Sequence, residues 1–304
     1  MKVSVISVNF NQTKVTLDLL HSINSQDYKD LEVIIVDNGS KEDPAPHVAG
    51  LYPFVKYVRS ESNLGFAGGN NLGLQHATGD FLFFVNNDTE IPLHTIENLL
   101  NIFSRFPDSG VVCPLIYYYD QPELTQFAGY TPINTLTGRN HSVGYRNRTI
   151  MSEKVTESPF AHGAAMMVSR SVIERVGGMS ENYFLYYEEL DWGAAIRKAG
   201  FKIRVAHNAH ILHKESVSTG KSSPLKTYFQ TRNRILFMRR NYRGVQQLPF
   251  FLFFALIAFP KNILTFLIKR ELEHLKSFLH GVWWNLRNQK TSSRIGYKYE
   301  FLRS

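Results

Sequence analysis

The sequence contains little cysteine and little basic charge at its start, and both features limit what the protein can be. One cysteine among 304 residues excludes an intramolecular disulfide, which suits a reducing compartment. Residues 1–12 contain one basic residue and a short apolar stretch, so we expect a first strand there rather than a signal peptide. No fixed-period repeat or low-complexity tract is present. With 43% hydrophobic and 20% charged residues, wholesale disorder is excluded, and a folded chain of about two domains is predicted.

The excess of positive charge is confined to the last quarter of the chain. The whole sequence carries 34 Lys and Arg against 26 Asp and Glu, a formal charge of +8. Residues 225–304 contain 15 basic and 3 acidic residues, whereas residues 1–224 contain 19 basic and 23 acidic residues. Because a nucleic-acid-binding domain is expected to carry basic residues across its main body, we expect no nucleic-acid partner. The contrast predicts one domain over 1–224 and a basic, aromatic, helical region over 225–304.

Strand and helix signals alternate along the first part of the chain. Strands are predicted at 3–8, 31–36, 55–58, 81–85, 111–116 and 201–205, and helices at 14–25, 91–106, 171–176 and 188–199. The segment 64–77 is glycine-rich at its start and helix-like at its end. Pro92 is expected in the first turn of its helix. Residues 121–160 are polar and show no clear periodicity. The order predicts an α/β fold, a doubly wound and mostly parallel sheet with helices on both faces, followed by a helical C-terminal extension.

An apolar run over 248–259 ends at Pro260-Lys261-Asn262. A membrane-spanning helix needs about 20 apolar residues, and extending this run to 268 places Lys261 near its middle. We therefore expect an interfacial or re-entrant segment on an anionic membrane surface. The flanking basic residues are Arg239, Arg240, Arg243, Lys269 and Arg270. The alternative is a helix buried in the protein or in a homodimer interface formed by the C-terminal region.

Polar side chains follow three of the predicted strands where each strand ends, at Asn9-Phe10-Asn11, at 37–40 and at 86–88. Ligands of an open parallel sheet bind beyond the carboxyl ends of its strands, so these clusters predict a binding site. Asp37 suits a ribose hydroxyl or a base N–H, although an Asx turn with Asn38-Gly39 is the alternative.

Asn86 and Asp88 point to the same side of an extended segment, since strand side chains alternate. Oxygen ligands of this kind suit Mg²⁺, which usually shares them with a diphosphate. The alternative is a polar loop that closes a buried strand. His207, His210 and His213 are spaced so that an extended segment cannot direct all three to one face, so one histidine ligand is more credible than three.

The glycine-rich stretch 63–71, NLGFAGGNN, precedes a predicted helix. Glycines permit close approach of a ligand, and a helix N-terminus favours phosphate. An ordinary turn is an equal alternative. The stretch is not GxGxxG and follows the third strand, so a Rossmann dinucleotide site is disfavoured.

Three carboxylates, Glu188, Glu189 and Asp191, occupy four positions at the start of a predicted helix. Like charges this close raise one another's pKa, which suits a general base, although acidic residues also favour any helix N-terminus. The nearby Trp192 is either a sugar-stacking platform or a core residue. His162 is likewise either a residue of the acceptor site or part of the surface or core.

Several stretches together resemble inverting glycosyltransferases of family 2, which have the GT-A fold, and most closely the rhamnosyltransferase-like members. The matching stretches, in family order, are 3–11, 31–40, 63–74, 79–91, 163–178, 183–201, His213 and 228–240. Each is weak alone, but together they are specific.

The resemblance implies roles for individual residues. The nucleotide-sugar contacts that it implies are Asn9, Asp37, Asn38, Asn63, Gly65, Phe66, Asn70, Asn86 and Asn87. Asp88, Asn86 and His213 would bind Mg²⁺ or Mn²⁺, with Asn86 in place of the frequent first Asp of the DXD motif. Glu189 would be the base where Asp is common, which leaves Glu188 or Asp191 as substitutes. Arg232 and Arg234 would bind a donor or acceptor phosphate, or are ordinary surface arginines.

The implied activity is an inverting, metal-dependent hexosyl transfer in cell-surface polysaccharide assembly. The donor would be a nucleotide-sugar, with dTDP-rhamnose or a UDP-sugar favoured, and the acceptor a hydroxyl of a glycan or lipid-linked glycan. We expect a cytoplasmic enzyme, peripheral on the inner face of the cell membrane. The alternatives are a sugar-phosphate nucleotidyltransferase, for which 9–12 lacks the expected basic Gly-rich loop, and a non-catalytic nucleotide-sugar- or glycan-binding module.

Overall fold

A computed structural model describes residues 1–144, 151–214 and 223–297. The unassigned stretch 121–160 and the predicted C-terminal region therefore each lie partly outside the described residues. Among these, ten strands form one sheet in the order β3-β2-β1-β4-β9-β6-β10-β5, with β7 on β6 and β8 on β10. The strands are β1 (Val3–Asn9), β2 (Leu31–Asp37), β3 (Val55–Arg59), β4 (Phe81–Val85), β5 (Thr89–Glu90), β6 (Ser109–Tyr118), β7 (Thr125–Phe127), β8 (Val155–Glu157), β9 (Ala165–Ser169) and β10 (Lys202–His213).

Helices pack against the sheet and continue beyond it. They are α1 (Thr13–Asn24), α2 (Ala45–Leu51), α3 (Gly65–Gln75), α4 (Thr95–Arg105), α5 (Arg170–Val176), α6 (Glu188–Lys198), α7 (Pro224–Asn241), α8 (Leu248–Phe253), α9 (Phe259–Ile268) and α10 (Leu272–Arg287). The α/β fold with a helical C-terminal region is confirmed.

Strands β1 to β4 pair in parallel, with Asn9 of β1 opposite Asp37 of β2, and β6 pairs in parallel with β10. Strand β9 runs antiparallel between β4 and β6, with Ala165 opposite Val85. The chain therefore enters β9 at the edge where β4 ends. This return strand makes the sheet mixed and adds residues near 163 to the edge that carries the polar clusters.

The helix after β4 begins later than predicted, at Thr95, so Pro92 precedes it rather than lying in its first turn. The intervening Thr89–Glu90 forms β5, which pairs antiparallel with the end of β10. Periodicity did not indicate this because a two-residue strand depends on its distant partner. The pairing brings the end of β4 to the end of β10.

The glycine-rich stretch lies mostly inside α3 instead of forming a loop before a helix, which corrects the sequence interpretation. A Cβ at Gly69 would lie 2.8 Å from Val8 Cγ1, and one at Gly73 would lie 2.5 Å from Ile6 Cγ2. Asn70 is also buried, and its Nδ2 donates to a backbone carbonyl of the same helix. These residues therefore allow α3 to pack closely on β1.

The predicted domain boundary at 224 coincides with the start of α7, which packs against α10 and also contacts the segment before α6. Tyr228, Phe229 and Leu236 are fully buried. The side chain of Asn233 donates to backbone carbonyls before α6. The charge contrast therefore marks a change of composition, while packing continues across it.

The helical segment Gly244–Ile268 continues through Pro260, where the apolar run of the sequence ends. A π-helical turn, Phe254–Ala258, ends two residues before this proline, which has no N–H to donate within the helix. By length and composition this segment is long and apolar enough to cross a membrane, and 11% of its most apolar window is buried.

The exposed side of this segment is apolar, and we call it the C-terminal apolar face. Its exposed side chains are Leu252, Leu256, Ile257, Leu264, Leu267 and Ile268. Of the basic residues expected to flank it, Arg239 donates to Asn285 and Arg240 to Asp191, so these two contact protein groups instead of a membrane. Arg243, Lys269 and Arg270 remain exposed.

Candidate active site

A continuous hydrogen-bond network joins the carboxyl ends of β1, β2 and β4. Asn9 Nδ2 donates to Asp37 Oδ1 at 2.9 Å, and Thr16 Oγ1 donates to Asn9 Oδ1 at 2.8 Å. Asn87 Nδ2 donates in turn to Thr16 Oγ1 at 3.0 Å. The structure thus brings together the polar clusters of three strands. Arg59 adds a cation 3.4 Å from Asp37 Oδ2.

Asn9 and Asp37 are both fully buried, and their polar atoms contact other protein groups. Together they stabilise the strand ends on which the site is built. Their expected contact with a nucleotide base and ribose stays a prediction.

Asn38 connects the end of β2 to the start of α3. Its Nδ2 donates to Asn63 Oδ1 and to the carbonyl of Gly65, both at 3.1 Å. Gly65 has a φ of +74°, and a Cβ there would lie 2.3 Å from the Phe184 carbonyl. That same carbonyl accepts a hydrogen bond from Phe66 N at 2.7 Å. These predicted donor-binding residues therefore lie directly against the segment that precedes α6.

Asp88 and His213 lie far apart in the sequence and come together at the site. Their Oδ1 and Nε2 atoms are 3.1 Å apart, and both side chains are buried. The pairing of Thr89 with His213 between β5 and β10 fixes this proximity. On the far side of the ring, His213 Nδ1 lies 2.7 Å from Gln126 Oε1. A glutamine Oε1 accepts a hydrogen bond, so Nδ1–H is the donor here and the Nε2 lone pair is directed towards Asp88.

The pair fits a divalent cation. Asp88 Oδ1 is buried and accepts no hydrogen bond from any residue in the described ranges. Two acceptors this close are stabilised when a cation lies between them, and carboxylate with imidazole is a common donor set. Within the described part of the chain no three His, Cys, Asp or Glu side chains form a complete cluster, so a donor diphosphate and half-buried Asn86 would have to supply further ligands.

The other two histidines of β10 lie elsewhere, as the spacing predicted. His207 Nε2 lies 3.1 Å from Thr156 Oγ1, and the ring of His210 packs against Tyr117 at 5.4 Å. Only His213 of the three faces Asp88.

Glu188 and Glu189 begin α6 in apolar surroundings. Burial raises the pKa of Glu189 to about 7, and burial together with the charge of Glu189 raises the pKa of Glu188 well above its ordinary value. Glu188 Oε2 is buried without a hydrogen-bond partner among the described residues. Glu189 is partly exposed and lines a cavity, which makes it the better candidate for a base in contact with substrate.

Asp191 is not available as a substitute base. Its carboxylate accepts hydrogen bonds from Tyr183 Oη at 3.0 Å and Asn241 Nδ2 at 2.6 Å, and it forms an ion pair with Arg240 at 3.1 Å. The three carboxylates therefore differ in their surroundings: Glu189 lines a cavity, Glu188 is buried, and Asp191 connects α6 to α7.

The segment before α6 has an unusual backbone. Phe184, Tyr186 and Tyr187 all have φ between +66° and +75°, a region that non-glycine residues seldom adopt. Asn233 Nδ2 compensates by donating to the carbonyls of residues 183, 185 and 186 at 2.7 to 2.9 Å. The position of Glu189 thus depends on a side chain of α7.

Arg232 stabilises the same segment, which corrects its expected role as a phosphate ligand. It is fully buried, and its guanidinium donates to the carbonyls of Asn182 and Tyr183. The guanidinium also lies 3.9 Å from the centre of the Trp284 ring. No phosphate could reach it without displacing these groups.

Trp192 and His162 are not exposed platforms for a sugar. Trp192 is buried, donates from Nε1 to the Gly177 carbonyl at 2.9 Å and packs edge-on against Phe84, so it belongs to the core. His162 stacks on Tyr130, and burial, with a smaller effect of His213, lowers the pKa of His162 to about 3. The imidazole of His162 is therefore neutral.

A cavity of about 450 Å³ lies beside Glu189, between α6, α7, the 134–140 turn and the C-terminal helices. Its lining includes Arg139, Asn140, Tyr187, Glu189, Thr231, Arg234, Phe266 and Phe278. Of these only Glu189 and Arg234 were predicted site residues. Arg139 and Asn140 come from a polar stretch without periodicity, and nothing in the sequence pattern identified them.

Comparisons with known proteins agree with this architecture. A family model described as glycosyl transferase family 2 matches residues 4–177. Among solved structures, the mannosyltransferase PcManGT from Pyrobaculum calidifontis, in complex with GDP-Man and Mn²⁺, matches with a TM-score of 0.59 at 15% identity, covering 94% of this chain and 87% of that one.

Two curated relatives cover most of the chain. The low-salt glycan biosynthesis hexosyltransferase Agl10 of Haloferax volcanii is 23% identical over 94% of this chain and 91% of its own length. The N-acetylglucosaminyl-diphospho-decaprenol L-rhamnosyltransferase of Mycobacterium tuberculosis is 24% identical over 81% of this chain and 86% of its own. These findings exclude both the nucleotidyltransferase and the non-catalytic alternative. The chain therefore belongs to glycosyl transferase family 2, and it is a glycosyltransferase with the GT-A fold.

Proposed function

We propose that the protein transfers a sugar from a nucleotide-sugar to a hydroxyl of a lipid-linked glycan, with inversion at the anomeric carbon, in the assembly of a glycan or polysaccharide. The observation that supports this most is the cavity-lining carboxylate of Glu189, whose pKa burial raises to about 7. A carboxylate with such a pKa serves as a general base near neutral pH.

Glu189 would accept the proton of the acceptor hydroxyl. As that oxygen forms its bond to the anomeric carbon, the bond to the donor diphosphate breaks on the opposite face, and the nucleoside diphosphate leaves. This single displacement inverts the configuration. Asn233 and Arg232 contribute by fixing the backbone that carries Glu189.

The donor would lie against the ends of β1, β2 and β4, in contact with Asn63 and Gly65 near α3. Asp88 and His213 would bind a divalent cation, Mg²⁺ or Mn²⁺, with Gln126 orienting the histidine. When bound, that cation neutralises charge on the departing diphosphate.

The acceptor is proposed from two independent features. One relative is named for a diphospho-decaprenol acceptor, a lipid-linked sugar. In addition, the C-terminal apolar face is exposed beside Arg243, Lys269 and Arg270, a combination that favours an anionic membrane surface. We place the enzyme on the cytoplasmic side of the cell membrane, where such acceptors can be reached from the surface.

A donor panel tests the activity. The purified full-length protein is incubated with a polyprenyl-diphosphate-linked sugar as acceptor and with UDP-, GDP- and dTDP-sugars, including dTDP-rhamnose. Mg²⁺, Mn²⁺ or EDTA is added, and the released nucleoside diphosphate and the glycosylated product are measured. We expect turnover of a dTDP- or UDP-sugar that EDTA abolishes. Full turnover in EDTA would exclude the metal, and a product that retains the anomeric configuration would exclude single displacement by Glu189.

Flotation with liposomes tests the location. We expect binding to vesicles that contain anionic phospholipid and weaker binding to neutral vesicles. A protein that stays soluble and elutes as a dimer would instead indicate that a second copy covers the C-terminal apolar face.

A further inference from the structure

The cavity beside Glu189 has one polar wall and one aromatic wall. Thr227, Gln230, Thr231 and Arg234 of α7 all line it, at the i, i+3, i+4 and i+7 spacing that places them on one helix face. Phe266 of α9 and Phe278 of α10 line the other side, next to the C-terminal apolar face. The space is therefore suited to a ligand that is polar at one end and apolar at the other.

Arg234 lies in this polar wall without a matching anion. Its side chain is 6% exposed, its guanidinium lies 5.2 Å from the Phe254 ring centre, and its Nε has no hydrogen-bond partner among the described residues. Asn140 Nδ2, also in the cavity wall, is likewise buried without a partner in the described part of the chain. Unpaired buried donors are costly, so they indicate a ligand with acceptor oxygens.

Arg139 adds a second positive charge to the cavity wall. Arg139 and Arg234 line the same cavity. Burial, and next the charge of Arg139, lower the pKa of Arg234 to about 10. Neither forms an ion pair within 4.0 Å with a carboxylate of the described residues. Two adjacent cations without a counterion favour a phosphate, whose oxygens arginine binds in a bidentate manner.

The turn that carries Arg139 is fixed in place by Gly138. This residue has a φ of +64°, and a Cβ there would lie 2.9 Å from Phe250 Cε2 and 3.2 Å from Arg234 Cγ. The Gly138 carbonyl accepts a hydrogen bond from Tyr187 Oη at 3.1 Å. The proximity of Arg139 and Arg234 is thus a packed feature of the fold.

The anion belongs to the acceptor side of the site. None of the predicted donor and metal residues near the strand ends, such as Asn63, Asp88 and His213, lines this cavity. Glu189 does line it, and a base must contact the acceptor hydroxyl. A molecule in the cavity therefore presents its hydroxyl to the carboxylate and its anionic group to the arginines.

We propose that Arg139 and Arg234 bind the phosphate or diphosphate that joins the acceptor glycan to an isoprenoid carrier, with the isoprenoid chain leaving past Phe266 and Phe278 towards the C-terminal apolar face. This assignment deepens the proposed function and rests on it for the identity of the acceptor. It makes the two arginines determinants of acceptor specificity, with no part in donor binding.

Binding of farnesyl diphosphate to the full-length protein in detergent tests the assignment by calorimetry. Farnesol supplies the chain without the anion, inorganic diphosphate supplies the anion without the chain, and UDP reports on the donor site. The test variants are Arg139→Gln, Arg234→Gln and Arg234→Lys. Because the Arg139 side chain is exposed, Arg139→Gln should fold normally. Arg197→Gln, at an exposed arginine outside the cavity, is the control.

We expect Arg139→Gln and Arg234→Gln to weaken farnesyl diphosphate binding at least tenfold, Arg234→Lys to restore part of it, and Arg197→Gln and all UDP affinities to stay within twofold of wild type. Unchanged farnesyl diphosphate binding in Arg139→Gln and in folded Arg234→Gln would overturn the proposal. Inorganic diphosphate binding as tightly as farnesyl diphosphate would overturn the carrier assignment and indicate a free anion. Because this assay needs no sugar transfer, a failed donor panel would count against the proposed function alone.

Discussion

Replacing Glu189 by Gln should abolish activity and at the same time stabilise the protein above neutral pH. The amide keeps the size of the side chain but cannot accept the acceptor proton, and a general base contributes about 10²- to 10⁴-fold to rate. The variant should be more stable because the Glu189 side chain is largely buried, and an ionised carboxylate there lowers the free energy of unfolding.

The magnitude follows from the pKa. A carboxyl whose pKa rises from 4.5 to about 7 on folding lowers the free energy of unfolding by about 3 kcal/mol once it is ionised, since one pH unit is worth about 1.4 kcal/mol. The sign follows because the folded state retains a proton between pH 4.5 and about 7 that the unfolded state has lost. Stability therefore falls through that window as pH rises, and Glu189→Gln removes this loss.

Thermal and urea unfolding of wild type and Glu189→Gln between pH 5 and pH 8 measure the effect. We expect near-equal stability at the acidic end and a variant that is more stable at pH 8, with a Tm higher by roughly 5 °C for a chain of this size. The pH profile of wild-type kcat/KM should rise about tenfold per unit up to pH 7 and then level. Glu174→Gln, at an exposed glutamate of α5, is the matched control and should track wild type in all three measurements.

Parallel stability curves for wild type and Glu189→Gln would show that Glu189 ionises as an exposed glutamate does. That outcome, or full activity in the variant, would refute the argument for Glu189 as a buried base. A variant that is inactive and also less stable at every pH would indicate structural damage in place of the electrostatic effect.

Three further variants test other parts of the molecule. Gln126→Ala should raise the Mn²⁺ concentration needed for half-maximal activity by about 10- to 100-fold, because the partner that orients His213 is lost; an unchanged requirement would remove His213 from the metal site. Asn233→Ala should cost about 1–3 kcal/mol in urea unfolding and reduce kcat, because three buried carbonyls before α6 lose their donor; an unaffected kcat would separate this segment from catalysis. The double variant Leu256→Asp, Leu264→Asp should abolish flotation with anionic vesicles while changing stability by no more than about 0.5 kcal/mol per site, since both side chains are exposed; undiminished flotation would exclude this face as the membrane contact.

The sequence by itself determined the parallel strands β1 to β4 and the meeting of their polar ends at one edge of the sheet. Apolar runs such as 31–36 and 81–85 have the period and length of buried strands, and the polar residues that end them meet at one edge because parallel strands share a direction. Local pattern is sufficient there, since strand direction and side-chain alternation are properties of the segment. The family resemblance added Asp88 with His213, which are adjacent in the structure.

Only the tertiary structure decided which charged residues are free to act. Asp191 and Glu189 are two positions apart on one helix, yet Asp191 forms an ion pair with Arg240 while Glu189 faces a cavity. Arg232 and Arg234 differ in the same way. Arg232 is surrounded by carbonyls and Trp284, whereas Arg234 lies beside Arg139 without an anionic partner among the described residues. The burial of each of these side chains, and the groups that it contacts, depend on elements distant in the chain. Composition and spacing could therefore indicate these residues as candidates, but only their packing separates their roles.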